Sequence, residues 1–121
     1  MNVEEFRNYC LSKPYVTEHF PFDEVTLVFK VADKSFAFTG LERMPFQVNL
    51  KCDPERSIEL REEYDGLIIP GWHMNKVHWN TVCFESNLPI KLLIELIDHS
   101  YDLIVKSFTK KKQTELGFLK D

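Results

Sequence analysis

Apolar side chains near the start of the chain fall at Val3, Phe6, Tyr9 and Cys10, a spacing of three to four that gathers them on one side of a helix. Residues 2 to 12 are therefore predicted as a short amphipathic helix that stops before Pro14. The period then changes. In "EVTLVFKV", residues 24 to 31, Val25, Leu27, Phe29 and Val31 alternate with Thr26, Val28 and Lys30, the pattern of a strand whose second face is only partly polar. "ADKS" reads as a tight turn into "FAFTG", which makes a hairpin of the two runs. "MPFQVNLKC" predicts a third strand, with Phe46, Val48, Leu50 and Cys52 to one side and Gln47, Asn49 and Lys51 to the other. Asp53 offers an N-cap oxygen and Pro54 suits the first helical position, so a second helix runs to about Tyr64 and closes at Gly66. "KVHWNTVCFE" is β-branched and aromatic enough to be the next strand.

After "SNLP" the helical period returns and lasts longest. Ile90, Leu93, Ile94, Ile97, Tyr101, Ile104, Val105 and Phe108 form one stripe, the expected cover of the sheet. Leu92, Leu96 and Leu103 lie on a second flank, to be covered by the N-terminal helix, by the loop around Phe20 to Phe22, or by a second copy of the chain. The expected assembly is a monomer or a weak homodimer. From Thr109 onward the chain is expected to fray.

At 121 residues, with 44% hydrophobic and 13% aromatic positions, the chain is sized for a single folded domain. Its net charge of −4 removes the global basic footprint of a nucleic-acid binder, leaving only a local patch to play that part. No apolar run is long enough to span a membrane and "MNVEEFRNYC" is unlike a secretory signal, so a cytoplasmic protein with no membrane partner is expected. Cys10, Cys52 and Cys83 are widely spaced and read as small apolar groups.

Candidate chemistry is concentrated in "PGWHMNKVHWNTV", residues 70 to 82. His73 and His78 match an H-x4-H spacing but lack the partner pair of a zinc site, so no metal is expected. There is no nucleophile elbow, phosphate loop or dinucleotide fingerprint, and no cofactor or enzymatic activity is expected. On the last helix, His99 lies between Glu95 and Asp102, which would favour its charged form. Two binding readings of the tract remain. Lys76 meeting phosphate, with His73, Asn75, His78 and Asn80 hydrogen-bonding the duplex and Arg43 and Lys51 adding charge, would make a surface for double-stranded DNA. Alternatively Trp72, His73, Met74 and Trp79 edge a pocket for a small aromatic ligand. A third reading gives the tract a purely structural role.

The segments "FPFDEVTLVFKVADKSFAF" and "LKCDPERSIELREEYDGLIIPGWHMNKVHWNTV", with the closing amphipathic helix, resemble the MmcQ/YjbR family of small bacterial proteins over nearly the whole chain. The resemblance implies an α+β fold of order α-β-β-β-α-β-α, with an N-terminal helix, a bent antiparallel sheet, an inserted middle helix and a long C-terminal helix. It brings with it no established reaction, cofactor or agreed ligand, and points to DNA binding in a double-wing arrangement. Its signature falls here on Pro70, Gly71, His73, Met74, Asn75, Lys76, His78 and Trp79. Trp72 stands where the family often has tyrosine, and Val77 where a basic residue often precedes "HW".

Overall fold

The computed structural model describes residues 1–120. Helix α1 (Val3–Leu11) starts at Asn2, whose side chain accepts the Glu5 N–H at 2.8 Å while the Glu5 carboxylate accepts the Asn2 N–H at 3.1 Å. This reciprocal pair satisfies two of the backbone donors that a helix start leaves unpaired. Strand β1 (Val16–His19) follows, its Glu18 gripping both Nε and Nη2 of Arg7 on α1.

Strands β2 (Thr26–Val31) and β3 (Lys34–Gly40) form the expected hairpin. Its two-residue loop, Ala32 and Asp33, sits at φ 45° and 73°, the paired positive angles that match the right-handed twist of the flanking strands. A bulge between Phe29 and Lys30 bends β2. Strand β4 (Gln47–Lys51) leads into α2 (Pro54–Glu63), where Asp53 caps the Arg56 N–H and Pro54 stands in the first turn. Strands β5 (Ile68–Pro70) and β6 (Trp79–Cys83) precede the long α3 (Ile90–Lys106) and a short α4 (Lys110–Glu115).

The six strands are antiparallel in the order β1-β2-β3-β4-β6-β5, so the fold is α+β as expected, with two edge strands and a terminal helix beyond the expected order. The expected fraying from Thr109 is corrected. Thr109 caps α4, and Gln113 is buried, donating to the Phe108 carbonyl at 2.8 Å.

Cross-strand register divides the sheet into two faces. Leu27, Phe29, Ala37, Val48, Leu50, Val82 and Ile68 point to the helix side and belong to one core cluster with Phe6 of α1 and Leu93, Ile97 and Ile104 of α3. Leu96, assigned from the sequence to a second flank, lies in that same cluster, and Leu92 packs against it. Ile90, assigned to the core stripe, is exposed at the first position of α3. Phe20 and Phe22 are exposed too and cover no flank of α3.

Two polar contacts fix the helices. The buried Ser100 hydroxyl of α3 donates to the Phe36 carbonyl at 2.6 Å and accepts the Lys51 N–H at 2.9 Å, tying the helix to β3 and β4 together. Asp98 accepts the Tyr9 hydroxyl at 2.6 Å and the Lys13 ammonium at 2.7 Å, joining α1 to α3. Burial, followed by this bond to Asp98, pushes the Tyr9 phenol up to about 12.

His99 corrects the expectation of a charge-supported imidazolium. Its Nε2 accepts the Asp53 N–H at 3.1 Å, which requires the neutral ring. Burial, then the neighbouring Arg56, lower its pKa from the ordinary 6.5, outweighing Asp53, Asp102 and Glu95. The folded state therefore holds fewer protons than the unfolded chain as pH falls through about 6.5, so this residue withdraws stability on acidification and contributes no slope above that range. Urea unfolding between pH 5 and 7.5 is expected to show a smaller loss of midpoint in His99→Gln, which keeps an acceptor for Asp53 but does not titrate. An identical slope in the variant would assign the effect elsewhere.

Candidate functional site

The second sheet face carries Thr26, Phe38, Gly40, Gln47, Asn49 and Thr81, brought side by side by the pairings Thr26↔Gly40, Phe38↔Asn49 and Asn49↔Thr81. Loops, with no helix among them, wall this face. Phe22 comes from the β1–β2 connection, Arg43 from β3–β4, and Trp72, His73 and Met74 from β5–β6. Together they enclose an open cavity of about 460 Å³, inside the roughly 300–1,000 Å³ range of small-molecule sites.

The 71–78 loop is held to this position from both sides of the sheet. On the open face, the Trp72 N–H donates to the Thr81 hydroxyl at 2.9 Å, that hydroxyl donates to Asn49 Oδ1 at 2.5 Å, and Asn49 Nδ2 returns to the Trp72 carbonyl at 3.1 Å. This closed ring satisfies every member and fixes the tryptophan backbone on β4 and β6. From the other side, Arg61 of α2 donates through Nε to Asn80 at 2.8 Å and through Nη2 to the Lys76 and Trp79 carbonyls.

Within the loop, Asn75 Oδ1 accepts the Val77 and His78 N–H groups, and the Trp79 N–H reaches the Asn75 carbonyl at 3.0 Å. The asparagine thus builds a turn. Strand β6 consequently starts at Trp79, later than the predicted Lys76. The Lys76 ammonium folds back on the Gly71 carbonyl at 2.9 Å. His73 sits at φ 58°, a left-handed angle that disfavours a non-glycine residue by about 1–2 kcal/mol.

The residues proposed for a duplex therefore have unlike surroundings. Asn75 and Lys76 serve main-chain atoms of their own loop. Asn80 is 2% exposed, with its amide shared between Arg61 and Ser57, so it does not face a partner; its place on the helix side of β6 accounts for this. Lys51 shares the open face with Asn49 one turn of the pleat away, and His78 is exposed with no side-chain hydrogen bond among the described residues. Only Arg43 and His73 line the cavity.

Of the pocket residues proposed, Trp72, His73 and Met74 line the cavity, while Trp79 supports from beside it, its ring 5.4 Å from that of Phe38. Arg43 Cζ lies 3.7 Å from the Trp72 ring centroid, and the His73 ring lies 3.8 Å from the same indole at a tilt of 55°. Phe22, Phe38, Gln47, Asn49 and Thr81 were not singled out from the sequence, nor was Arg61. The one available signal was the polar side of "QVNLK", since a central strand with two amides on one face must leave that face uncovered or partner it. Among the described residues, no three His, Cys, Asp or Glu side chains gather as a metal-binding group, and no helix is long and apolar enough to cross a membrane.

Comparison with known proteins agrees with this architecture. The YjbR family model matches residues 11–103. The uncharacterised protein YbdF of Escherichia coli O157:H7 is 36% identical over 91% of this chain and 89% of its own. The uncharacterised protein YjbR of Escherichia coli K12 is 32% identical over 93% of this chain and 95% of its own. The crystal structure of the Deinococcus radiodurans protein DR2400 superposes with a TM-score of 0.90 at 45% identity, covering 96% of this chain and 88% of that one. A Pseudomonas syringae crystal structure follows at 0.73 and 29% identity, over 85% of this chain and 98% of that one. Matched across most of its length by the family model and aligned nearly end to end with these relatives, the chain belongs to the YjbR family.

Proposed function

We propose that this protein is a non-enzymatic binding protein that holds a small aromatic molecule in the cavity on the open face of its sheet. The observation that carries the reading is the wall itself. Phe22, Phe38, Trp72 and Met74 supply flat and polarizable apolar surface, and Gln47 and Arg43 stand among them as polar anchors. Small-molecule sites use this mixture. The loop that carries Trp72 is anchored on two sides before any ligand arrives, which lowers the ordering cost of binding.

Calorimetric titration with 2-naphthamide and 2-naphthoate tests it. At least one of the two is expected to bind wild-type protein, and Trp72→Ala should weaken that binding by about tenfold, the loss of one well-packed aromatic contact. Absence of binding by either compound at millimolar concentration would remove this reading.

Duplex DNA is the second reading, supported by Arg43, Lys51 and His73 on the same face. It has a separate signature. DNA affinity should fall steeply between 50 and 200 mM salt as counterions are released, whereas a neutral aromatic should be held with almost no salt dependence.

A further inference from the structure

We infer that the ligand of this cavity is an aromatic carboxylate, with its acid group seated on Arg43. The inference rests on the cavity reading above and adds the charge of the occupant. Nineteen acidic residues outnumber fifteen basic ones in the chain, yet none of them lines the cavity. A smaller neighbouring cavity of about 270 Å³ shares Arg43, Gln47 and Thr81 with it and is likewise free of carboxylates. Arg43 thus stands on the divide between two hollows, reached from both.

Among the described residues, the Arg43 guanidinium makes no ion pair and no hydrogen bond, while Arg7, Lys13 and Arg56 all have carboxylate partners. Its orientation is nonetheless fixed. Its Cζ lies 3.7 Å from the Trp72 ring centroid, a stacking distance, and the arginine stem runs over Gly40, where a Cβ would come within 3.3 Å of Cγ and 3.4 Å of Cδ. Stacking occupies the face of a guanidinium and leaves its N–H edges free in the plane, the geometry that takes a carboxylate through two parallel hydrogen bonds. A half-buried cation without a partner also favours the anion over its neutral isostere, since it has given up part of its hydration already. The aromatic body of the ligand would then lie against Phe38 and Met74 in the larger hollow.

The test compares 2-naphthoate with 2-naphthamide, which share a ring system and differ in charge, on wild type, Arg43→Gln and Arg43→Lys, each checked for an unchanged thermal midpoint. Wild type is expected to prefer the carboxylate by about 10- to 100-fold, the span of a charge-assisted hydrogen-bonded pair. Arg43→Gln should bring the two affinities together, and Arg43→Lys should keep part of the preference. Equal affinities in wild type, or a preference that survives Arg43→Gln, would overturn the inference while leaving the cavity reading intact. Binding of neither compound would take down both.

Discussion

Gly71→Ala is expected to destabilise the protein by about 2–4 kcal/mol and to abolish binding in the cavity, combining overpacking with the loss of one main-chain hydrogen bond. A Cβ at this buried position would stand 2.8 Å from Trp79 Cβ, 2.9 Å from the Trp79 carbonyl oxygen and 3.1 Å from Met74 Cβ. None of these is the yielding end of a long side chain. The Gly71 N–H also donates to that Trp79 carbonyl at 2.8 Å, so the two backbones cannot separate without breaking the bond that starts the loop. The Gly71 carbonyl is in turn where the Lys76 ammonium and the Met74 N–H attach, at 2.9 and 3.2 Å. Displacing it shifts Trp72, the next residue, off its ring of contacts with Thr81 and Asn49. Gly66→Ala is the control. Gly66 has open space around it and only its φ of 80° to oppose a side chain, so a loss of about 1 kcal/mol with intact ligand binding is expected. Chemical unfolding and calorimetry on both variants check the pair; a Gly71→Ala protein with wild-type affinity would show that the loop is not what shapes the cavity.

Phe6→Ala is expected to cost about 3–5 kcal/mol, the usual range for emptying a buried phenylalanine site. The Phe6 ring is fully buried and meets three others edge-on, Phe29 at 5.3 Å, Phe84 at 5.4 Å and Phe46 at 5.8 Å. These come from β2, from just after β6 and from just before β4, so one side chain of α1 closes the sheet across three strands. Its removal leaves a void that neighbours fixed in three separate strands cannot fill by collapsing. Thermal melts should fall by on the order of 15 °C for a chain of this size, and Phe6→Leu should recover more than half of the loss. A shift of only a few degrees in Phe6→Ala would mean that α1 docks on the sheet by its polar contacts, chiefly those to Glu18 and Asp98.

What could be foreseen from the sequence divides along physical lines. The elements with a sustained apolar period or a clear cap were legible: α1, the β2–β3 hairpin, β4 and α3 by their pattern, and α2 by Asp53 and Pro54, lie within a few residues of expectation. The elements missed have no period to read. Strand β1 is "VTEH" and β5 is "IIP", too short for alternation to show, and both are edge strands placed by their neighbours. Helix α4 is "KKKQTE", polar throughout, and it is held by the buried Gln113 and by Phe118 against the core.

The candidate site was legible as a place and not as an arrangement. Clustering of Trp72, His73, Met74, Asn75 and Lys76 marked a loop of which Trp72, His73 and Met74 line the cavity, yet side-chain lists carry no information on which groups a turn consumes internally. Asn75 and Lys76 looked like contacts for a partner and are fasteners of the turn. Arg43 and the polar side of β4 reach the cavity through strand register and a tertiary stack on Trp72, neither of which short-range spacing encodes.

The two margins of the sheet carry a last consequence. At one end lies a four-residue strand bearing the ion-paired Glu18, and at the other a three-residue strand that finishes on Pro70, which has no N–H to offer. Neither margin is a ready template for an incoming backbone, so fibrillar growth by successive strand addition is disfavoured from both directions.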